Sequence, residues 1–234
     1  MEFRIGDVIV RSWNVLSRHF LTFVLLVGIA QLLPLVLTLY VGRSLKPTDV
    51  LIAGLIGLLS FILSSFAEAI VVFAAFQDLR GRPVNAAESL QQGVGRVFPV
   101  IVASVLTGLL VAVGSILCIV PGLIALTAMA VVLPACVVER LGPIESMSRS
   151  ADLTTGHRWP ILAVGVAWLV IALVVSLSIQ AAMPAGATLP AQLLGWIWQV
   201  LSGSFTAVYA AILYHDLRAV RDGIGIDEIA SVFD

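Results

Sequence analysis

The sequence predicts an all-α, polytopic membrane protein that crosses a bilayer about six times, with amphipathic helices at one interface. Three observations carry that expectation. Of 234 residues, 60% are apolar and only 12% charged, at a mean hydropathy of +1.08, whereas a soluble domain carries about 25% charged residues. Six apolar stretches suit a hydrocarbon core about 30 Å thick, crossed at ~1.5 Å per residue. The basic residues also segregate into alternate connections. A net charge of −1 offers no basic surface for nucleic acid.

In chain order, Ile5, Ile9, Trp13, Leu16 and Phe20 recur at spacings of four, four, three and four, which predicts an interfacial amphipathic helix. No cleavable leader is expected, because this mixed-charge segment precedes an apolar run long enough to span. The predicted spans are 20–41, 50–76, 97–120, 122–138, 160–181 and 191–214. Pro121-Gly122 divides the third from the fourth, since one helix through both would exceed forty residues; the fourth also reads as a re-entrant segment. A second amphipathic segment covers 82–98, with Val84, Ala87, Leu90, Val94 and Val97. A third opens at Pro143, carries Ile144, Met147 and Ala151 on its apolar side, and has Gly156 placed to end it.

Eleven basic residues fall on one side of this layout: Arg4, Arg11, Arg18, Arg80, Arg82, Arg96, Arg140, Arg149, Arg158, Arg218 and Arg221. Only Arg43 and Lys46 fall on the other. The asymmetry predicts both termini in the cytoplasm and an even number of spans. Trp196 and Trp198 are expected in an aromatic belt at the outer end of the last span.

Each amphipathic segment precedes a hairpin of two spans, and residue identities echo the pattern. Arg11-Ser12, Asn14 and His19 recur as Arg149-Ser150, Asp152 and His157, and residues 76–80 resemble 214–218. The sequence therefore reads as one membrane domain over 1–234, with repeats over 1–78, 79–139 and 140–234. The alternative is that like sequences arise because each unit faces the same interface.

Residues 139–150, Glu-Arg-Leu-Gly-Pro-Ile-Glu-Ser-Met-Ser-Arg-Ser, continue through Leu153-Thr154-Thr155-Gly156, follow Pro121-Gly122, and precede Leu213-Tyr214-His215-Asp216-Leu217-Arg218. With Asp222-Gly223 and Asp227-Glu228 after them, these motifs resemble the glycerophosphoryl diester phosphodiesterase membrane-domain family. The resemblance spans most of the chain and is specific mainly in its second half. It implies a bacterial polytopic membrane protein. It does not imply phosphodiester hydrolysis, because only twenty residues follow Tyr214 and the family's catalytic barrel needs about 250.

No catalytic constellation is evident. His19, His157 and His215 lie at predicted interfaces without metal-ligand spacing, and Gly93-Val94-Gly95 lacks the lysine of a phosphate loop. Cys118 and Cys136 read as buried free thiols at opposite ends of a hairpin. The chain is thus expected to be no enzyme and to hold no cofactor or metal. Inside the bilayer, Gly195, Gln199, Ser202, Thr206 and Tyr209 share one face of the last span, and Gly57, Ser60, Ser64 and Glu68 share one of the second. Such faces either pack helices closely or line a polar cavity. Glu68, about 12 Å from the Phe76 end at 1.5 Å per residue, is expected to face the bundle interior. Arg80, Arg149, Arg158, Asp216 and Arg218 are candidates for locking the interfacial helices to the bundle or for binding lipid headgroups. Two functions stay open: a scaffold or modulator contacting membrane lipids, and a transporter or channel-like protein for a lipid or small solute.

Overall fold

The computed structural model describes residues 5–41, 49–81, 89, 91, 94–183 and 188–222. Among them the chain forms nine helices and no strand. These are α1 (Ile5–Arg18), α2 (Phe20–Val41), α3 (Val50–Leu79), α4 (Val97–Leu117), α5 (Ile119–Ala128), α6 (Val132–Val138), α7 (Pro143–Leu153), α8 (Arg158–Ala182) and α9 (Thr188–Asp222). Six membrane spans result: α2, α3, α4, α5 continued by α6, α8 and α9. Lipid supplies no hydrogen bonds, so a crossing segment satisfies its backbone internally, and apolar runs of this length do so as helices.

Packing is uneven along the membrane normal. Where α1, α7 and the ends of α3, α6 and α9 meet, Phe23, Val71, Ala74, Val131, Ala135, Ile212 and Tyr214 form one continuous core. Alanines on α3, α6 and α9 let the backbones approach closely. This is the basic end, since Arg11, Arg18, Arg149, Arg218 and Arg221 all ion-pair there. Toward the far end the spans separate: Tyr40, Leu51 and Ile116 are more than 80% exposed, and α8 buries only Ile161. That exposed apolar surface faces lipid.

The third and fourth spans depart from the sequence reading. Their turn lies at Cys118, whose backbone is extended, and Pro121 instead occupies the first turn of α5, where its missing N–H costs nothing. A Cβ on Gly122 would lie 2.8 Å from the Ser115 backbone, so only glycine permits this approach of α4 and α5. The fourth span is also not one helix, because it breaks over residues 129–131. Pro134 cannot donate to Ala130, and the ladder shifts to shorter bonds, Ala130 N–H to Thr127 O (3.4 Å) and Val132 N–H to Met129 O (3.3 Å). Ser150 bridges the break from α7, donating to Ala128 O at 2.7 Å and accepting from Val131 N–H at 3.2 Å. Pro34, by contrast, leaves α2 continuous.

The amphipathic helices α1 and α7 form as expected, but small polar residues help dock them. Val8, Ser12 and Val15 of α1 are buried, and α1 packs mainly on α9, while Ile9 and Trp13 point outward. In α7 the buried face is Ser146, Ser150 and Leu153; Ile144 is exposed, and Met147 and Ala151 are half-buried. Gly156, at a φ of +87°, allows the turn after α7. The second amphipathic segment, the termini and the connections holding Arg43, Lys46 and Gly186 lie mostly outside the described residues. The last span continues as helix about two turns past Tyr214, to Asp222.

Trp196 and Trp198 lie some 12–15 Å along α9 from Thr188 at ~1.5 Å per residue, and both make interhelical contacts. Trp196 Nε1 donates to Gln31 O at 3.2 Å, and Trp198 stacks on Trp168 of α8.

Candidate functional site

Glu68 projects from α3 just on the far side of the packed core, where two cavities meet. The larger, about 430 Å³, lies among α3, α4, the broken fourth span and α9, and includes Ser65, Ser104, Thr107, Met129, Ala130 and Leu133 in its wall. The smaller, about 220 Å³, is bounded by Val27, Gln31, Ser64, Gln199, Ser202 and Gly203. Glu68 and Thr206 line both. Both cavities are partly open to the outside of the bundle.

The periodicity argument thus brings Ser64, Glu68, Gln199, Ser202 and Thr206 to one place. Ser60 and Tyr209 do not join them. Ser60 donates back to Ile56 O at 2.8 Å, and Tyr209 packs beside Phe205 against the core, with its hydroxyl buried and unpartnered. Four polar residues at the cavities were missed: Gln31, Ser65, Ser104 and Thr107. Ser104, Thr107 and Ser115, spaced by three and eight, share one face of α4 and were detectable by helical periodicity; Gln31, nine residues after Thr22 and seven before Thr38, stood in no closely spaced polar run.

The polar inventory is unbalanced. Glu68 has no hydrogen-bond or ion-pair partner among the described residues, and no basic side chain lines either cavity. Ser104 Oγ and Thr107 Oγ1 are buried and also unpartnered. A buried polar group without a partner costs about 1–3 kcal/mol.

At the basic end most of the described charges instead pair with one another. Arg149 Nε donates to both Glu139 oxygens at 3.0 and 3.1 Å, and its Nη2 to Asp222 at 2.6 Å. The Asp222 hydrogen bond, and after it that to Glu139, outweigh burial and hold the Arg149 guanidinium still further above its ordinary range. Tyr214 donates its hydroxyl to Glu139, and Arg218 approaches Asp222 at 3.4 Å. Asp216 accepts from Arg11, and Asp78 pairs with His19 at 2.9 Å and Arg18 at 3.6 Å. Arg149, Asp216 and Arg218 therefore lock helices together. Arg80 is exposed with no ion-pair partner among the described residues, and Arg158 keeps a buried Nε without a hydrogen-bond partner.

Among family models, one described as "Domain of unknown function (DUF7847)" matches residues 44–217, about three quarters of the chain. The chain belongs to that family. The DUF7847 match takes in Glu68, the α4 hydroxyls, Ser150 and Glu139, and leaves α1 and α2 outside. No curated protein and no solved structure matches the chain.

Proposed function

We propose that this DUF7847 protein is a non-enzymatic carrier of the bacterial cytoplasmic membrane, with both termini in the cytoplasm, that holds a small membrane-borne solute at Glu68. One observation carries the proposal: an acidic side chain about 12 Å inside the bilayer, at ~1.5 Å per residue from Phe76, borders two cavities and has no partner among the described residues. A carboxyl at that depth costs up to about 2.5–3.5 kcal/mol, which packing alone does not repay. Among the described residues the basic end is closed by the apolar core and the ion pairs, and both cavities are partly open, which favours access from the opposite side of the bilayer. Release to the cytoplasm would require the Glu139 and Asp216 contacts to part. The likeness of residues 139–156 to the glycerophosphoryl diester phosphodiesterase membrane domain supports the bacterial setting only.

A scaffold reading draws on Trp13, which is 62% exposed on a helix pinned to α9, and on Arg80 and Arg158, which are placed to contact headgroups. Complementation of a deletion strain, scored by growth and by solute efflux, separates the two. The carrier reading expects Glu68→Gln to accumulate normally and fail to complement. Full complementation by Glu68→Gln, with loss in Trp13→Ser, would favour the scaffold.

A further inference from the structure

We infer that the cavities at Glu68 take a cationic amphiphile, with one apolar chain in the larger cavity and an amine headgroup in the smaller, beside the carboxyl. The inference rests on the reading of these cavities as a binding site and names the class of molecule bound.

The two chambers differ in chemistry. Apart from its hydroxyls and Glu68, the larger is walled by residues such as Val72, Val111, Leu126 and Leu133, and its 430 Å³ falls within the roughly 300–1,000 Å³ of ligand pockets. The smaller is bounded by two amides and three hydroxyls. Its 220 Å³, space for about seven waters at ~30 Å³ each, is ample for an ammonium headgroup with part of its hydration.

Charge selects further. Among the described residues the carboxyl between the chambers lacks a counter-ion, and no other ionisable side chain lines either wall. A cation completes the pair in a medium of low dielectric; a carboxylate or phosphate ligand would set like charges together. The second pointer is Ser104, a residue of the larger cavity's wall that is only 8% exposed and whose buried hydroxyl is unpartnered among the described residues, with Thr107 one turn along. Both are placed to hydrogen-bond a polar substituent on the chain. Both chambers are partly open, which gives an entering molecule a route in.

The test uses the full-length protein in phosphatidylcholine nanodiscs, with dodecylammonium, dodecanol and dodecanoate as probes and empty nanodiscs to subtract partitioning. Saturable dodecylammonium binding is expected, with dodecanol and dodecanoate weaker by about ten-fold or more, a difference of ~1.4 kcal/mol. Glu68→Gln should remove that preference, and Ser104→Leu, which fills the apolar chamber, should weaken all three probes. Equal binding of the amine and the carboxylate, unchanged by Glu68→Gln, would overturn the cationic class while leaving an amphiphile site. No saturable binding of any probe would overturn both. If Glu68→Gln does not fold, the amine-to-carboxylate ratio in the wild type and in Ser104→Leu decides alone.

Discussion

Ser150 is the clearest place to perturb the fold with a predictable outcome. Its hydroxyl donates to Ala128 O and accepts from Val131 N–H, the two groups freed where the fourth span breaks. Their one fallback is each other, a Val131 N–H to Ala128 O bond across three residues, because Thr127 O already accepts from Ala130 and Val132 N–H is taken by Met129 O. Ser150→Ala therefore leaves both unpaired unless the break tightens to form that bond, with Val131 fully buried and Ala128 6% exposed. Interhelical hydrogen bonds in membranes contribute about 0.6 kcal/mol on average and up to ~1.7, so loss of two amounts to about 1–3 kcal/mol. Ser146→Ala is the control: Ser146 is equally buried on the same helix, but its hydroxyl returns to Gly142 O within one turn. It should cost under about 1 kcal/mol. Reversible unfolding by SDS in mixed micelles reads both. Because Met129, Ala130, Val132 and Leu133 line the larger cavity, Ser150→Ala should also weaken amphiphile binding. Equal destabilisation by the two substitutions would refute the bridging role.

Three further outcomes are expected. Reporters fused after Arg18, within 85–93, within 146–155 and at Asp234 should behave as cytoplasmic, and those near Lys46 or Gly186 as periplasmic; a periplasmic C-terminus would contradict the six-span topology. A double-mutant cycle on Arg149 and Glu139, which are 23% and 16% exposed, should give a coupling of about 1–2 kcal/mol, whereas Arg221 and Asp152, 3.8 Å apart and more than half exposed, should give under ~0.5. Gly122→Ala should destabilise by about 1–3 kcal/mol, because its Cβ meets the Ser115 backbone at 2.8 Å, while Gly108→Ala, meeting only the Phe61 ring at 3.8 Å, should be tolerated.

Much of the architecture was legible because bilayer physics is written in composition. Apolar length gave six spans and spacing gave α1 and α7. Periodicity also gathered Ser64, Glu68, Gln199, Ser202 and Thr206, since residues three and four apart share a helix face. Less legible was anything settled by a distant partner. The break at 129–131 follows from Pro134, but its stability depends on Ser150, nineteen residues further on in the chain. The extension of α9 was missed because Asp216 and Arg218 read as the exit from the bilayer; paired with Arg11 of α1 and with Glu139 at the end of α6, they hold the extended helix against its neighbours. The hydroxyls of α4 had the right spacing and were lost in a span whose other residues are almost all apolar.

The account stands on a polar site at Glu68 that opens to the outer side and is closed toward the basic end. Single cysteines at Ser202, Thr206 and Ala211, in a background with Cys118→Ser and Cys136→Ala, test it directly with a membrane-impermeant maleimide applied to right-side-out and inside-out vesicles. Ser202 and Thr206 line the smaller cavity, and Ala211 is fully buried in the core. Ser202→Cys and Thr206→Cys should react from the outside only and be protected by dodecylammonium, with Ala211→Cys unreactive from either side. Reaction of Ser202→Cys from the cytoplasmic side alone, or none at either cavity position, would contradict the account.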